Sequence, residues 1–401
     1  MKIILFTIIV LPLFLQAQDF GEVLTSGPNP NELIIDQFEC VGNATTNCDL
    51  IQKEIYLEVG DKVNEDELSN AKIRLQLRNL FKSVNLYLKK GSKRGNVKVV
   101  IEVEESSAVY TEMTIQTESH ESSKSTRDSL FLTVGHRNLF GLGKVLQVTA
   151  ELVKGEFDNK SKNFKLDYTD PNLFGSKKLY LNLNFSKNYD SIGECYDCAR
   201  KNEETTYQGT LGYRIFDFSY ISLSSERNRY ESIYESPQEQ KYTFESQTEK
   251  FSYGWNSEDD SYFPTQGEKF SVGFSKLRFF DMFMPTRTYG YDTNYRHNWL
   301  ASKSNLFVFK FNFNQQDSGN SSAPSRWYSV PFQYAYIFSP NLKSGVLRSR
   351  AFLEVSPNFF ELPVNNDEVQ YAKSLLTSVG YTMEHRSLGI LRLYLGYWSS
   401  L

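Results

Sequence analysis

Residues 144–185, KVLQVTAELVKGEFDNKSKNFKLDYTDPNLFGSKKLYLNLNF, contain three segments in which apolar and polar side chains alternate strictly. The apolar positions are, in order, Leu146, Val148, Ala150, Leu152, Phe164, Leu166, Tyr168, Leu179, Leu181, Leu183 and Phe185. A period of two indicates β-strands whose two faces lie in different environments. Three such strands fit a soluble sandwich as well as a membrane barrel, so the rest of the chain has to decide between them.

The composition favours a membrane barrel. The chain has 401 residues, of which 15% are aromatic, and its mean hydropathy is −0.45. No internal stretch approaches the ~18 consecutive apolar residues that a membrane helix needs. Many aromatic residues with a low mean hydropathy are typical of a barrel, because lipid-facing side chains alternate with polar, lumen-facing ones. A secreted array of β-sandwiches is the competing fold. The net charge of −4 gives no basic surface of the kind that binds nucleic acid.

The N-terminus has the pattern of a secretory signal peptide. Met1 and Lys2 precede an apolar run over residues 3–15, and a small residue, Ala17, follows the run. We expect cleavage after Ala17 and therefore exclude residues 1–17 from the fold. Residues 18–30 are polar and contain two prolines, which indicates a linker.

Residues 31–106 predict a small α+β domain. The elements are a strand, two helices and two strands, at residues 33–38, 48–58, 64–75, 81–88 and 97–103. Asn64 is a good N-cap for the second helix, and Glu67 follows three residues later, as in a capping box. This order predicts a small sheet with both helices on one face.

From residue 107 to the end of the sequence, alternating segments of about 8 to 12 residues recur, close to the ~9–11 residues of a tilted membrane-spanning strand. About fifteen segments lie between Tyr110 and Tyr397. Polar residues of one segment, Arg348, Arg350 and Glu354, share a face, as a water-filled lumen requires. An open sheet of this size leaves unpaired edges, which lipid does not tolerate. Because a barrel that starts and ends in the periplasm needs an even number, we predict a closed antiparallel transmembrane β-barrel of about 16 strands over residues 107–401.

Motifs in both regions resemble a known superfamily. Residues 59–61, 80–84 and 99–105 resemble a single POTRA domain. The rest resembles the barrel of the outer-membrane assembly factors, which include BamA, TamA, Sam and the two-partner secretion transporters. Three turn motifs carry this resemblance, formed by Arg137, Asn138, Phe140, Gly141 and Gly143, by Asp170, Pro171 and Phe174, and by Phe263, Pro264 and Gly267. From the residues alone, the motifs are tight turns that need no activity of their own, with Phe140 and Phe174 suited to an interfacial aromatic girdle.

The superfamily usually also carries an Arg-Gly-aromatic tip on a long loop late in the barrel. This chain has no such tripeptide: its only Arg-Gly pair is Arg94-Gly95, in the POTRA-like region. The corresponding region, residues 315–327, ends on Pro324-Ser325-Arg326-Trp327.

The resemblance implies a function built on backbone hydrogen bonds. It implies that an unfolded outer-membrane protein pairs by β-augmentation with an edge strand formed by Ser83, Val84, Asn85, Leu86, Tyr87 and Leu88. It further implies a seam between the first and last barrel strands where a client is templated. We therefore expect an insertion factor in the outer membrane of a Gram-negative bacterium. The POTRA-like domain would lie in the periplasm, and the partners would be outer-membrane lipids, client proteins and periplasmic proteins or lipoproteins. A polypeptide-translocating pore and a passive channel are the alternatives.

The sequence offers no chemistry for an enzyme, a metal or a cofactor. The four histidines lie singly, without a second ligand at metal spacing, and no nucleophile elbow or phosphate loop is present. Cys195 and Cys198 form a Cys-x-x-Cys pair for which a loop disulfide is expected in an exported protein. Cys40 and Cys48 flank the first loop of the POTRA-like domain and are candidates for a second disulfide.

Overall fold

The computed structural model describes residues 33–120, 125–154, 160–195, 198–216, 218–235, 240–259, 264–280, 287–318, 325–338, 347–365, 368–385 and 389–400. The predicted signal peptide, residues 1–17, and the predicted linker, residues 18–30, lie outside these ranges. No helix within them is long and apolar enough to cross a membrane.

Residues 33–106 form a small N-terminal unit with the predicted order of elements. The elements are β1 (Ile34–Val41), α1 (Cys48–Ile55), α2 (Glu65–Leu77), β2 (Phe81–Lys90) and β3 (Asn96–Glu105). The sheet order is β1-β3-β2, in which β3 pairs parallel with β1 and antiparallel with β2. The predicted fold class, an α+β unit before a β-barrel, is therefore confirmed.

The helices of the N-terminal unit start where the sequence provides caps. Asn47 and Asn64 precede α1 and α2, and the side chain of each accepts a hydrogen bond of 2.9 Å from the backbone N–H two residues later. Of the predicted capping box, the structure shows the bond made by the N-cap residue, in which Asp66 N donates to Asn64 Oδ1. Both helices pack onto one face of the sheet, where the fully buried core residues are Ile35, Ile51, Ile55, Leu75, Val84, Val99 and Ile101.

The rest of the chain forms one sheet of sixteen strands that closes on itself. Its strands are β4 (Val109–His120), β5 (Ser125–Leu139), β6 (Lys144–Lys154), β7 (Lys160–Asp170), β8 (Leu179–Cys195), β9 (Cys198–Phe216), β10 (Ser219–Glu235), β11 (Gln240–Asn256), β12 (Gly267–Phe279), β13 (Arg287–Leu300), β14 (Asn305–Ser318), β15 (Ser325–Ser329), β16 (Phe332–Phe338), β17 (Leu347–Asn365), β18 (Glu368–His385) and β19 (Gly389–Ser400). Closure satisfies the backbone of both edge strands, which is what lipid requires.

Strands β15 and β16 share one position in the barrel. Both pair with β14 on one side and with β17 on the other. The interruption falls at Val330 and Pro331, and proline has no N–H to donate to a ladder. The sixteen strands therefore occupy fifteen positions around the barrel.

Because the barrel has an odd number of positions, its first and last strands must run in the same direction. Strands β4 and β19 run the same way, and they pair parallel, with residues 390–398 opposite residues 112–120. Every other pairing in the barrel is antiparallel. We call the β4–β19 pairing the seam.

The two faces of the barrel follow the alternation in the sequence. Leu146, Val148 and Leu152 are exposed on the outer face. On the inner face, polar side chains bond across neighbouring strands, as in Thr133–Thr149 at 2.8 Å between hydroxyl oxygens. Ion pairs also line the lumen, at 2.6 Å for Lys310–Glu354 and 2.7 Å for Lys250–Asp292.

The inner face also carries apolar features that the alternation did not predict. Leu306, Val308 and Ala335 form a buried cluster, with Ile337 and Phe352 packed against it. Four inward-facing aromatic rings each cover a glycine directly opposite on the neighbouring strand, in the pairs Tyr110–Gly135, Tyr180–Gly212, Tyr220–Gly254 and Phe352–Gly380. A Cβ atom at any of these glycines would collide with the ring, so glycine is what allows the ring to lie flat on the wall.

Candidate functional site

Strand β2, which contains the predicted client-binding residues 83–88, lies at an edge of the three-stranded sheet. The opposite edge, on β1, is occupied at its start by the segment of residues 60–63. Ile35 donates to Asp61 O at 2.9 Å, and Gly60 donates to Ile35 O at 2.8 Å. Within the described residues, the outer edge of β2 makes no comparable backbone hydrogen bonds. The edge of β2 is therefore open to a further strand along its whole length, whereas the edge of β1 is covered where the strand begins.

The side chains of β2 divide between the two faces of the sheet. Val84 is buried in the core, and Leu86 and Leu88 pack against it. Ser83, Asn85 and Tyr87 face solvent. The strand is thus anchored through one face and exposed along its edge. The structure places all six predicted residues on this strand.

The N-terminal unit is fixed to one end of the barrel, here called the docking end, by the turns of residues 139–143 and 171–178. At the first turn, the side-chain amide of Asn138 donates to Thr46 Oγ1 at 2.9 Å, and its oxygen accepts from Gly143 N at 2.8 Å. Gly141 O accepts from Asn47 N at 3.0 Å. A Cβ atom at Gly141, whose φ is +73°, would collide with Thr45 O. Glycine is required here because two backbones touch.

A buried charge cluster joins the second turn to the N-terminal unit. Glu54, at the end of α1, is 4% exposed and ion-pairs with Arg78. Asn172 donates to the same carboxylate at 3.1 Å. Arg214, on β9, donates to Asn172 Oδ1 at 3.3 Å, to Pro171 O at 2.9 Å and to Lys177 O at 2.8 Å. We call Glu54, Arg78, Asn172 and Arg214 the docking cluster.

The charge state of Glu54 follows from these contacts. Burial acts to raise the pKa of Glu54, but the positive charges of Arg78 and Arg214 and the hydrogen bonds from Arg78 and Asn172 lower it below its ordinary value. Glu54 is therefore ionised at neutral pH. The carboxylate of Glu54, paired with Arg78 and bonded to Asn172, therefore ties the N-terminal unit to the barrel.

The two turns are copies of one structure. Each contains Asn-Leu-Phe-Gly, at residues 138–141 and 172–175. In each, the glycine N–H donates to the asparagine carbonyl, at 3.2 and 2.8 Å. In each, the phenylalanine has a left-handed backbone, with φ of 59° for Phe140 and 55° for Phe174. This conformation costs a bulky residue roughly 1–2 kcal/mol. Both asparagines are buried against the N-terminal unit, while Phe140 and Phe174 are 88% and 93% exposed.

The third predicted motif forms a hairpin between β11 and β12. Asp259 accepts from Thr265 N at 2.8 Å and from Gln266 N at 3.1 Å, which closes the turn on both sides of Pro264. Phe263 lies outside the described residues. The neighbouring Glu258 is buried and ion-pairs with Arg296 on β13. Gly267 has a φ of +96°, and a Cβ atom there would collide with Ser257 O.

Arg137 and Asp170, the remaining motif residues, brace the same end of the barrel. Arg137 lies over the ring of Tyr110 at 4.5 Å and donates to Asn79 O at 3.0 Å. Asp170 ion-pairs with Lys144 at 3.0 Å, which joins the strands that border the two turns.

The seam holds one ion pair on its inner face, between Glu112 of β4 and Arg392 of β19. The parallel ladder has slanted hydrogen bonds and is slightly less stable per residue than the antiparallel pairings around the rest of the barrel. It is also the only barrel position in the described chain at which neighbours lack a connecting loop.

A disulfide joins Cys40 to Cys48, with 5.9 Å between the Cα atoms, and closes the loop before α1. The side chains of Cys195 and Cys198 lie outside the described part of the structure, so the predicted loop disulfide stays a prediction. No group of acidic, histidine or cysteine side chains in the described ranges is arranged to hold a metal ion.

Sequence reasoning missed the docking cluster. Glu54 and Asn172 are 118 residues apart, and neither Arg78 nor Arg214 lies in a recognisable motif. One usable signal was present, the repetition of Asn-Leu-Phe-Gly in consecutive turns, since a repeated asparagine beside a turn glycine indicates a repeated hydrogen-bonding role.

Solved structures of CdiB and BamA are similar to this chain. CdiB from Acinetobacter baumannii is 9% identical, with 90% of this chain and 71% of that chain covered and a TM-score of 0.60. CdiB from Escherichia coli is 11% identical, with 88% and 70% covered and a TM-score of 0.57. BamA from Haemophilus ducreyi lacking POTRA domains 1–3 is 14% identical, with 92% and 81% covered and a TM-score of 0.49. No protein-family model matches the chain, and no curated protein matches its sequence.

At these TM-scores the chain shares the barrel fold of the two CdiB structures, which agrees with the fold that the resemblance in the sequence implied. A closed barrel with an apolar outer face is the architecture of a membrane-spanning β-barrel.

Proposed function

We propose that the chain assembles other outer-membrane proteins, with the N-terminal unit acting as a periplasmic POTRA-like domain. The observation that carries this proposal is the open edge of β2 on a unit fixed against the docking end of the barrel. The proposed steps make and break hydrogen bonds only, so the protein needs no enzymatic chemistry, metal or cofactor.

In the first step, an unfolded outer-membrane protein adds a strand to β2. Main-chain hydrogen bonds supply affinity without sequence specificity, which suits a factor with many clients. The docking cluster holds β2 at a fixed position relative to the barrel, so a client bound there is delivered to one place. Periplasmic proteins or lipoproteins are the further partners expected for this domain.

In the second step, the client moves to the seam and pairs with β4 or β19. Two features favour the seam as the place where the client pairs. Its ladder is parallel, and no loop connects its two strands. Pairing there would keep the client backbone hydrogen-bonded while the client enters lipid. The surrounding outer-membrane lipids then take up its apolar face.

The polar lumen supports a second candidate, a pore that passes an unfolded polypeptide. Ion pairs such as Lys310–Glu354 line a hydrated path through the barrel. A passive channel is the third candidate, supported by the lack of an Arg-Gly-aromatic tripeptide in the barrel sequence. The three functions differ in whether β2 and the seam are needed.

Reconstitution separates these functions. Residues 18–401 are placed in liposomes, and the folding of a urea-denatured second barrel protein is timed against empty liposomes and an inert porin. Faster folding is expected of an assembly factor. No acceleration, together with a large single-channel conductance, would instead support a pore or a channel.

A photo-crosslinker tests the role of β2. The probe replaces Tyr87, which is exposed on β2, or Ile34, which is exposed on the part of β1 covered by residues 60–63 and serves as the matched control. We expect the denatured client to be captured at position 87 and not at position 34. Equal capture at both positions would reject the β2 edge as the client site.

A disulfide lock tests the seam. Ile115 and Leu393 face each other across it, so the change of both to cysteine would tie β4 to β19. Met113 and Leu132, on β4 and β5, form the matched control pair at an ordinary antiparallel ladder. An assembly factor should lose activity only with the seam lock and regain it on reduction, whereas the conductance of a passive channel should not respond.

A further inference from the structure

The exposed phenylalanines of the two copied turns point to a partner at the docking end. Phe140 and Phe174 are almost fully exposed, and both are held in a left-handed backbone that asparagine or glycine adopts more easily. A turn needs neither the aromatic ring nor its exposure. The same arrangement occurs in two neighbouring turns, so it is unlike a single exposed aromatic residue on a soluble surface.

The surroundings of these rings identify the partner as lipid. The turns continue directly into β6 and β8, whose outward side chains, such as Leu146 and Leu183, form part of the apolar outer face. Beside the second turn, the ammonium group of Lys178 lies 5.7 Å from the ring centre of the outward-facing Tyr213. Lysine with an aromatic ring at the border of an apolar band is the usual composition of a bilayer interface.

A crevice of about 360 Å³ opens between the two turns and α1. Its walls include Leu142 and Phe174, which are apolar and exposed, and four charged residues, Lys53, Lys144, Asp49 and Asp170. Asp170 is paired with Lys144, and Asp49 lies in the first turn of α1. Lys53 lies in the last turn of α1, has no ion pair among the described residues, and reaches to Gly175 of the second turn. Lys53 is thus the cation of the crevice that an anionic headgroup can reach beside the apolar rim.

We propose that this crevice binds a phospholipid of the periplasmic leaflet, with its phosphate at Lys53 and its acyl chains beside Phe140 and Phe174. The anionic phosphate complements the unpaired lysine, and the phenylalanines continue the apolar outer face of the barrel into the acyl region. The lipid contacts α1 and both turns together. It therefore ties the N-terminal unit to the membrane at the point where the docking cluster ties it to the barrel. This inference rests on the periplasmic placement in the proposed function.

Native mass spectrometry of the full chain in detergent, with added phosphatidylglycerol, tests the site. Lys53→Gln removes the charge, and Lys303→Gln is the matched control, since Lys303 is an exposed lysine in another turn at the docking end. One lost lysine–lipid contact should weaken binding about fivefold, equivalent to about 1 kcal/mol. Lys303→Gln should have no such effect, and equal retention of lipid in the two variants would overturn the proposal.

A second pair of variants tests the apolar half of the site. Phe140→Asn together with Phe174→Asn keeps a residue that accepts the left-handed backbone but removes both rings. This variant should retain less phosphatidylglycerol and less phosphatidylcholine. Phe280→Asn, an exposed phenylalanine at the opposite end of the barrel, is the control and should retain both lipids normally.

Two further outcomes would also reject the lipid site. Displacement of the lipid by glycerol phosphate at equal concentration would show a free phosphate site. Capture of a denatured client by a crosslinker at position 174 would show a client site. All lipid measurements are made without a client, so failure of the insertion assay leaves the lipid result unaffected. Absence of lipid binding by the unaltered chain, together with intact client capture at position 87, would reject this inference alone.

Discussion

The side-chain amide of Asn172 donates a hydrogen bond of 3.1 Å to the carboxylate of Glu54, across 118 residues of sequence. This bond joins a turn of the barrel to the first helix of the N-terminal unit. Because Arg78 pairs with the same carboxylate and Arg214 bonds to the same asparagine, one buried acid connects both parts of the protein.

Glu54→Gln should loosen the N-terminal unit from the barrel. The change preserves the shape of the side chain but leaves the half-buried Arg78 and Arg214 without the buried counter-charge of Glu54. Removing one partner of a buried ion pair costs about 3–5 kcal/mol. Hydrogen exchange of the backbone of α1 and of residues 171–178 measures the effect. The control is Glu58→Gln, which removes an exposed ion pair with Lys177 and should change little.

The same group makes docking depend on pH. The pKa of Glu54 is lower in the docked state than its ordinary value of 4.5, so its contribution is fully present above about pH 4.5. The contribution is lost as the pH falls through the lowered pKa, where the carboxyl group takes up a proton. The midpoint of thermal unfolding of the wild type should therefore fall more steeply than that of Glu54→Gln as the pH drops below about 4.5. Parallel curves for the two proteins would show that Glu54 is not the group responsible.

Arg392→Glu should open the seam, because it places two carboxylates opposite each other at Glu112. Amide exchange in β4 and β19 should become about tenfold faster, equivalent to about 1.4 kcal/mol. The β10–β11 ladder serves as the internal control within each sample. The double change Glu112→Arg with Arg392→Glu restores opposite charges and should restore protection. If the double variant exchanges as fast as the single one, the ion pair does not stabilise the seam.

Gly267→Ala should disturb the β11–β12 hairpin. The glycine has a φ of +96°, and an added methyl group would collide with Ser257 O, so a cost of about 1–3 kcal/mol is expected. Gly209→Ala is the matched control within a barrel strand, because its Cβ would lie 3.7 Å from the nearest atom, on Leu183. The fraction of refolded barrel at increasing urea concentration distinguishes the two variants. Equal urea midpoints would contradict the role given to Gly267.

Much of the barrel was predictable because alternation is a local property. The pattern of Leu146, Val148 and Leu152 assigned both a strand and its outer face before any partner strand was known. The N-terminal unit was predictable for the same reason, since caps such as Asn64 act within one helical turn. The structure moves the ends of the elements of the N-terminal unit by only a few residues. Several barrel strands are longer than the predicted 8 to 12 residues, with 19 residues in β9 and in β17.

The long-range features were not predictable. A one-dimensional pattern does not show that Glu54 lies beside Asn172, or that Gly212 opposes the ring of Tyr180. The shared position of β15 and β16 was equally hidden, because Pro331 interrupts one strand without turning the chain. Such features depend on which strands become neighbours after closure.

The seam follows from parity. Around a ring with an even number of positions, up and down directions alternate without conflict, but fifteen positions leave one pair of neighbours that must match. Wherever consecutive strands are joined by a short hairpin, the loop itself enforces opposite directions. The mismatch is therefore confined to the junction of β4 and β19, which among the described strands is the one pair of neighbouring barrel positions without such a loop. A barrel built from hairpins with an odd number of strand positions therefore always contains one parallel pair of neighbours that no loop holds together. The order of the strands alone determines where this pair lies, whatever the side chains are.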